Sequence, residues 1–100
     1  MFLERAVQQV RSGKWPDLEA LNEKYKAVES RLGFPPRRRF RCYFGSHNTN
    51  TLIVEREWES LAAMEATYMK AFADPEWLAL QAEFDAVVEN EWVEAYLALP

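Results

Sequence analysis

Apolar residues recur along the chain at two spacings, one typical of helices and the other typical of strands. Between residues 16 and 32 they follow the helical repeat, and Pro16 and Gly33 suit the first position and the position after the end of a helix. The apolar face of this predicted helix carries Leu18, Leu21, Tyr25, Val28 and Leu32, and its polar side carries Asn22, Lys26 and Glu29.

Two later stretches alternate apolar and polar residues and are predicted to form a β-hairpin. Residues 38–45 place Phe40, Cys42 and Phe44 between arginines and a tyrosine, which is the period of a strand. Residues 51–58 alternate again, and the polar segment 45–50 is the predicted loop between the two strands.

The first eleven residues are ambiguous between a helix and a strand. Phe2, Ala6 and Val10 have the spacing of one helical face, whereas the turn signal Ser12-Gly13-Lys14 is typical of the end of a strand. The arrangement of the remaining elements favours the strand.

Two helices and a strand are predicted in the last forty residues. Ser60 suits the N-cap of a helix over the residues that follow, and Asp74-Pro75 suits the start of another. Residues 91–97 alternate and are predicted to form the last strand.

The resulting order, strand–helix–strand–strand–helix pair–strand, is the βαββαβ order of the ferredoxin-like α+β fold. We therefore expect residues 1–100 to form one domain with a four-stranded antiparallel sheet and helices on one face. Because the strands carry large apolar residues on both sides, we expect the other face to be covered by a second copy of the chain.

Composition excludes several kinds of site. Cys42 is the only cysteine and His47 the only histidine, so the chain has neither an internal disulfide nor a Cys/His zinc site. No EF-hand, P-loop or dinucleotide-binding glycine pattern is present, and we expect no metal and no tightly bound cofactor. No apolar run is long enough for a membrane span, and the charged residues Glu4 and Arg5 interrupt any signal sequence, so we expect no membrane contact and a cytoplasmic protein.

The charge is distributed unevenly along the chain. Residues 34–45 contain four arginines and no acid, whereas residues 74–100 contain seven acids and no base. The arginines could bind nucleic acid, but the net charge of −4 argues against it, so we expect no nucleic-acid partner. We expect instead that Arg39 and Arg41 pair with Glu91 and Glu94, possible across a subunit interface because the strands that carry them lie at opposite sheet edges.

Three segments resemble the dimeric α+β barrel superfamily and its NIPSNAP-like branch. Residues 10–15, Val-Arg-Ser-Gly-Lys-Trp, are similar to its V-x-P-G-K strand end, with Ser12 in the place of proline. Residues 40–66 resemble the hairpin and following helix, and residues 74–84 the short helix before the last strand. The resemblance implies a homodimer with a pocket between each sheet and its helices, in a group that includes cofactor-free monooxygenases, isomerases and many proteins of unknown activity.

Candidate site residues follow from side-chain chemistry. His47 lies in the predicted hairpin loop and could move a proton near neutral pH, and Arg5 could hold an anionic oxygen between sheet and helices. Core and interface packing is the commoner role of aromatic residues, but four of them could line a pocket for a flat ligand: Tyr43, Trp15, Tyr68 and Trp77.

Three functions remain open at this point. The first is a NIPSNAP-like small-molecule-binding protein, and the second is a cofactor-independent monooxygenase or isomerase acting on an aromatic or enolisable substrate. The third is a purely structural interaction module. A cavity with convergent polar groups would favour the first two, whereas a cavity filled by aromatic side chains would favour the third.

Overall fold

The computed structural model describes residues 1–100, and their elements follow the predicted order. They are β1 (Phe2–Val10), α1 (Trp15–Leu32), β2 (Arg38–Arg41), β3 (Thr51–Trp58), α2 (Leu61–Phe72), α3 (Pro75–Val87) and β4 (Val88–Leu97). The ambiguous first segment is a strand, and the predicted ferredoxin-like α+β fold is confirmed.

The four strands form one antiparallel sheet in the order β2-β3-β1-β4. β1 lies inside the sheet and pairs with β3 on one side and β4 on the other, so the first and last segments of the chain are neighbours. β2 and β4 are the two edges, as predicted.

Alternation along each strand gives the sheet two different faces. Even-numbered residues of β1 and β3, such as Val10, Leu52, Val54 and Trp58, are buried beneath the helices. The apolar face of α1 packs onto them with α3 beside it, and together these residues form the main core. We call the sheet face away from the helices the open face.

Local sequence signals set the ends of the helices. The hydroxyl of Ser60 accepts a hydrogen bond from the Ala63 amide at the start of α2, and the carboxylate of Asp74 accepts one from the Trp77 amide at the start of α3. α1 ends at Gly33, whose φ of 88° is a conformation that glycine adopts without steric cost.

The structure corrects three details of the predicted pattern. β2 ends at Arg41 rather than at residue 45, and Phe44 is 86% exposed in the loop that follows. β4 begins at Val88, directly after α3, rather than at residue 91. Asn22 and Glu29, which we predicted on the polar side of α1, are both buried.

No helix is both long enough and apolar enough to cross a lipid bilayer.

Candidate functional site

A cavity of about 400 Å³ lies between the helix-facing side of the sheet and the three helices. Its floor comes from β1 and β3, and its walls come from α1, α2 and α3, with the edge strands β2 and β4 on either side. The apolar residues that line it include Ala6, Leu18, Leu52, Val54, Met64, Phe72, Phe84 and Val93.

One wall of the cavity contains a buried network of charges centred on Glu29 of α1. The Glu29 carboxylate accepts hydrogen bonds from the guanidinium groups of both Arg37 and Arg56. Arg37 also donates to the side-chain oxygen of Asn22 at 3.1 Å. Burial lowers the pKa of Arg37, and the carboxylate of Glu29 partly offsets this effect.

Glu4 of β1 forms the second part of this wall. Its carboxylate accepts hydrogen bonds from the indole N–H of Trp58, at 2.9 Å, and from the hydroxyl of Tyr68. Arg56 donates to the same tyrosine oxygen, which connects Glu4 to the Glu29 network. Burial raises the pKa of Tyr68, so the phenol keeps its proton and remains a hydrogen-bond donor to Glu4.

Glu91 of β4 is the third carboxylate of the cavity, and no arginine forms an ion pair with it. Its carboxylate accepts a hydrogen bond of 2.7 Å from the neutral amide of Gln8. Glu91 is an exposed residue of the edge strand β4, but the packing of protein atoms around its carboxyl group raises the pKa of Glu91; the hydrogen bond from Gln8 opposes that rise, and the nearby charge of Glu4 adds to it. Its carboxyl group therefore accepts a proton more readily than a free glutamate does.

The cavity walls contain buried donors that lack acceptors. The side-chain nitrogens that are buried without a hydrogen-bond partner are Nε of Arg37, Arg39 and Arg56 and Nε1 of Trp77. All four residues line the cavity, and all four atoms are N–H donors. A buried donor without an acceptor costs about 1–3 kcal/mol, so an acceptor that paired with any of these residues would stabilise the site.

Two of the four aromatic residues predicted to bind a ligand line this cavity, namely Tyr68 and Trp77. Trp15 lies outside the cavity lining, donates to the side chain of Asn50 at 3.0 Å and stacks against the guanidinium group of Arg41. Tyr43 is 87% exposed in the loop after β2 and does not line the cavity.

Arg5 and His47, the two residues predicted to take part in chemistry, do not line the cavity. Arg5 lies on the open face, where its Nε donates to Glu55 at 2.8 Å, so it does not reach the space between sheet and helices as we expected. His47 is exposed in the β2–β3 loop, and its backbone carbonyl accepts a hydrogen bond from the Cys42 thiol.

The arginines of β2 have partners within the chain. Arg39 lines the cavity and forms a two-pronged hydrogen bond with Glu19 of α1, and Arg41 donates to the backbone carbonyl of Thr49. Glu91 faces the cavity, whereas the register of β4 places Glu94 beside Arg5 on the open face. Arg39, Arg41 and Glu91 therefore lie on the helix-facing side of the sheet and Glu94 lies on the open face, and their pairing across a subunit interface stays a prediction.

The polar residues of the cavity were missed in the sequence, although a signal for them was present. Strand alternation places Arg56 on the same buried face as Leu52, Val54 and Trp58, and an arginine is rarely buried unless it has a charged partner. In β1 the same rule places Glu4 and Gln8 with Val10. Polar residues at inward positions therefore mark this site, and the arginine run contributes two more of its residues, Arg37 and Arg39.

No group of three or more histidine, cysteine or acidic side chains is arranged to hold a metal ion.

Solved structures with the same fold include members of the NIPSNAP family. A NIPSNAP family protein from Agrobacterium tumefaciens superimposes with a TM-score of 0.83 at 20% identity, over 98% of this chain and 85% of that one. An uncharacterized NIPSNAP domain protein from Burkholderia xenovorans gives a TM-score of 0.79 at 16% identity, over 99% and 95%.

An antibiotic biosynthesis monooxygenase is also similar, with a TM-score of 0.72 at 14% identity over the full length of both chains. No protein-family model matches the chain, and no curated protein matches it either. The similarity to solved structures confirms the resemblance expected from the sequence at the level of fold: this chain has the ferredoxin-like α+β fold of NIPSNAP family proteins.

Proposed function

We propose that this protein binds a small organic molecule in the cavity between the sheet and the helices. The observation that carries the proposal is the cavity itself, whose volume of about 400 Å³ falls within the range of ligand sites. Apolar residues form much of its lining, and a few charged groups converge on it from several elements. This combination of apolar walls and convergent polar groups is typical of small-molecule sites.

The buried charges argue for binding rather than for a purely structural role. Arg56 is only 6% exposed and Glu29 only 7%, and removing such groups from water is costly even when they are paired. Apolar residues of the same size would stabilise the fold at least as well. Recognition of polar atoms of a ligand would account for these buried charges, whereas packing alone does not.

Filling the cavity tests the proposal. Ala6 lies on the cavity floor, so the substitution Ala6→Phe places a ring where the ligand would lie, whereas Ala62→Phe adds the same ring at an exposed position of α2. In a thermal-shift screen of small organic molecules, compounds that bind should raise the melting temperature of the wild type and of Ala62→Phe. Their affinity for Ala6→Phe should fall at least about tenfold, a loss of about 1.4 kcal/mol.

Two results would contradict this function. One is a set of compounds that bind Ala6→Phe as tightly as the wild type, which would place their site elsewhere. The other is a broad library in which no compound raises the melting temperature of the folded wild-type protein.

The second candidate function is a cofactor-independent isomerase or monooxygenase that acts on an enolisable substrate. Glu91 favours it, because a carboxylate without a cationic partner could accept a proton from a carbon next to a carbonyl group. The guanidinium groups of Arg37 and Arg56 would then stabilise the enolate oxygen that forms. In this mechanism the base that accepts the proton is Glu91, and not His47 as the sequence suggested.

We further propose that two copies of the chain pack through their open faces. An apolar row crosses all four strands there, because the register aligns Phe40 with Ile53, Ile53 with Val7, and Val7 with Trp92. The next row alternates in charge and contains Arg38, Glu55, Arg5 and Glu94. A row of alternating charges is complementary to a second copy of itself when the two run in opposite directions.

A further inference from the structure

Every buried side-chain donor that lacks a partner belongs to a residue of the cavity wall, so the unsatisfied polar atoms of this site are all donors. The four atoms are the Nε nitrogens of three arginines and the indole nitrogen of Trp77. A ligand that supplies oxygen acceptors to these residues suits such a wall better than one that supplies only donors. Guanidinium donors form their strongest hydrogen bonds with carboxylates.

The charges that surround the cavity restrict how a carboxylate can enter. Arg37, Arg39 and Arg56 line it, together with Glu4, Glu29 and Glu91, and Glu19 pairs with Arg39 from outside the lining. When all are ionised, the three carboxylates that line the cavity balance its three guanidinium groups, and Glu19 lies outside it at the surface. A further anion would make the cavity negative unless a proton entered with it.

We propose that the cavity binds a small carboxylic acid as its carboxylate, while Glu91 of the same site holds one proton. The proposal rests on the small-molecule function proposed above and names its ligand class. Binding of the carboxylate with one proton leaves the total charge of the site unchanged, so no uncompensated charge is buried.

Glu91 is the carboxyl group suited to hold this proton. Glu4 and Glu29 each accept two strong hydrogen bonds from protein donors, and Glu29 is paired with two arginines. Glu91 accepts one from the amide of Gln8, has no arginine partner and lies on the exposed edge strand β4, and its pKa is raised above the usual value by partial desolvation. Charged and titratable groups of the other elements line the cavity with it: Glu4 on β1, Tyr25 and Glu29 on α1, Arg37 and Arg39 at β2, Arg56 on β3 and Tyr68 on α2.

Isothermal titration calorimetry with benzoate, phenylacetate and cinnamate tests the proposal, and the corresponding neutral amides serve as matched probes. Titration in buffers with different ionisation enthalpies, such as Pipes and Tris, measures the protons exchanged on binding. We expect the wild type to take up close to one proton per carboxylate bound at pH values above the pKa of Glu91. Its affinity should fall by up to about tenfold for each pH unit above that point. The amides should bind at least about tenfold more weakly and without proton uptake.

Two variants assign the proton and the anion contact. Glu91→Gln imitates the protonated carboxyl group, so it should bind the carboxylates without proton uptake and with little dependence on pH. Glu89→Gln, an exposed neighbour on β4, should behave as the wild type does. Arg39→Met should weaken binding of the carboxylates about tenfold and leave binding of the amides nearly unchanged.

The possible failures are distinct. Binding of the amides as tightly as the carboxylates, or of other compounds but none of these acids, would overturn the ligand class and leave the small-molecule function standing. Proton uptake that persists in Glu91→Gln, or that is absent from the wild type above the pKa of Glu91, would overturn the role of Glu91. Either of the two results that contradict the small-molecule function would remove both proposals.

Discussion

Glu29 binds two buried arginines at once, so a change at this single residue affects the whole polar wall. Its carboxylate accepts hydrogen bonds from Arg37 and Arg56, and Arg56 extends the network to Glu4 through Tyr68. Without this charge, two guanidinium groups would be left in a poorly solvated site with only Asn22, Tyr68 and the more distant Glu4 as neighbours. The network is therefore a structural support for the cavity and not only its lining.

The substitution Glu29→Gln should lower the free energy of unfolding by about 3–5 kcal/mol, because it removes one partner of a buried ion pair. Glu19→Gln is the matched control, since it removes the carboxylate that pairs with Arg39 at the surface, where Glu19 is 56% exposed. The control should lose about 1 kcal/mol or less. Urea denaturation followed by circular dichroism measures both, and equal losses would show that the buried network is no stronger than a surface pair.

At the scale of single elements, the starts of α2 and α3 use two chemically different caps. Ser60 caps α2 with a neutral hydroxyl, whereas Asp74 caps α3 with a carboxylate that also binds Arg31. The hydrogen bond from Arg31 lowers the pKa of Asp74, and the amide of Trp77 adds to this effect. The folded chain therefore binds a proton at Asp74 less tightly than the unfolded chain does.

This difference predicts that acid weakens the cap of α3 but not the cap of α2. The stabilisation by Asp74 is present above the pKa of the unfolded chain and is lost as the pH falls through the lowered pKa of the folded chain. Asp74→Ala should therefore lower the stability at neutral pH and have a smaller effect in acid. Ser60→Ala should cost about 1 kcal/mol at both pH values, because a hydroxyl does not titrate in this range. Urea denaturation at the two pH values checks this, and an Asp74→Ala effect that stays constant would be inconsistent with a charged cap.

Most elements could be predicted from local signals, but the ends of the edge strands could not. Helix caps and prolines are short-range signals, so the starts of α2 and α3 were confirmed at Ser60 and Asp74. Alternation of apolar and polar residues gives the sheet face on which a residue lies, but it does not show where hydrogen bonding to the neighbouring strand ends. β2 therefore ends at Arg41 although Phe44 continues the alternation, since β3 begins only at Thr51.

The site was harder to predict than the fold, because it depends on which elements meet. Arg56, Glu29 and Glu4 are far apart in sequence, and only the packing of α1 against β1 and β3 brings them together. Side-chain type alone pointed to Arg5 and His47, which lie on the open face and in a loop. The inward position of a charged residue is the signal that would have led to Arg56 and Glu4.

At the scale of the whole molecule, the two faces of the sheet have different roles. The helices cover one face and enclose the cavity, whereas the other carries the apolar row that includes Phe40 and Trp92, which are 50% and 51% exposed. An apolar row across an entire sheet is unusual on a surface that remains in contact with water. Pairing of two open faces would bury both rows and leave the two cavities on the outer sides of the assembly.

The substitutions Phe40→Lys and Trp92→Lys should dissociate the proposed dimer without unfolding the chain, because both side chains are already half exposed in a single copy. A charge buried in the centre of an interface has no partner there, so we expect the dissociation constant to rise at least about a hundredfold, which corresponds to about 2.7 kcal/mol. Tyr43→Lys changes an aromatic residue that is 87% exposed in a loop, and it should leave the assembly intact. Sedimentation velocity over a range of concentrations measures the assembly, and circular dichroism confirms that each variant is folded. A wild-type protein that sediments as a single chain at all concentrations would show that water, and not a second copy, covers the open face.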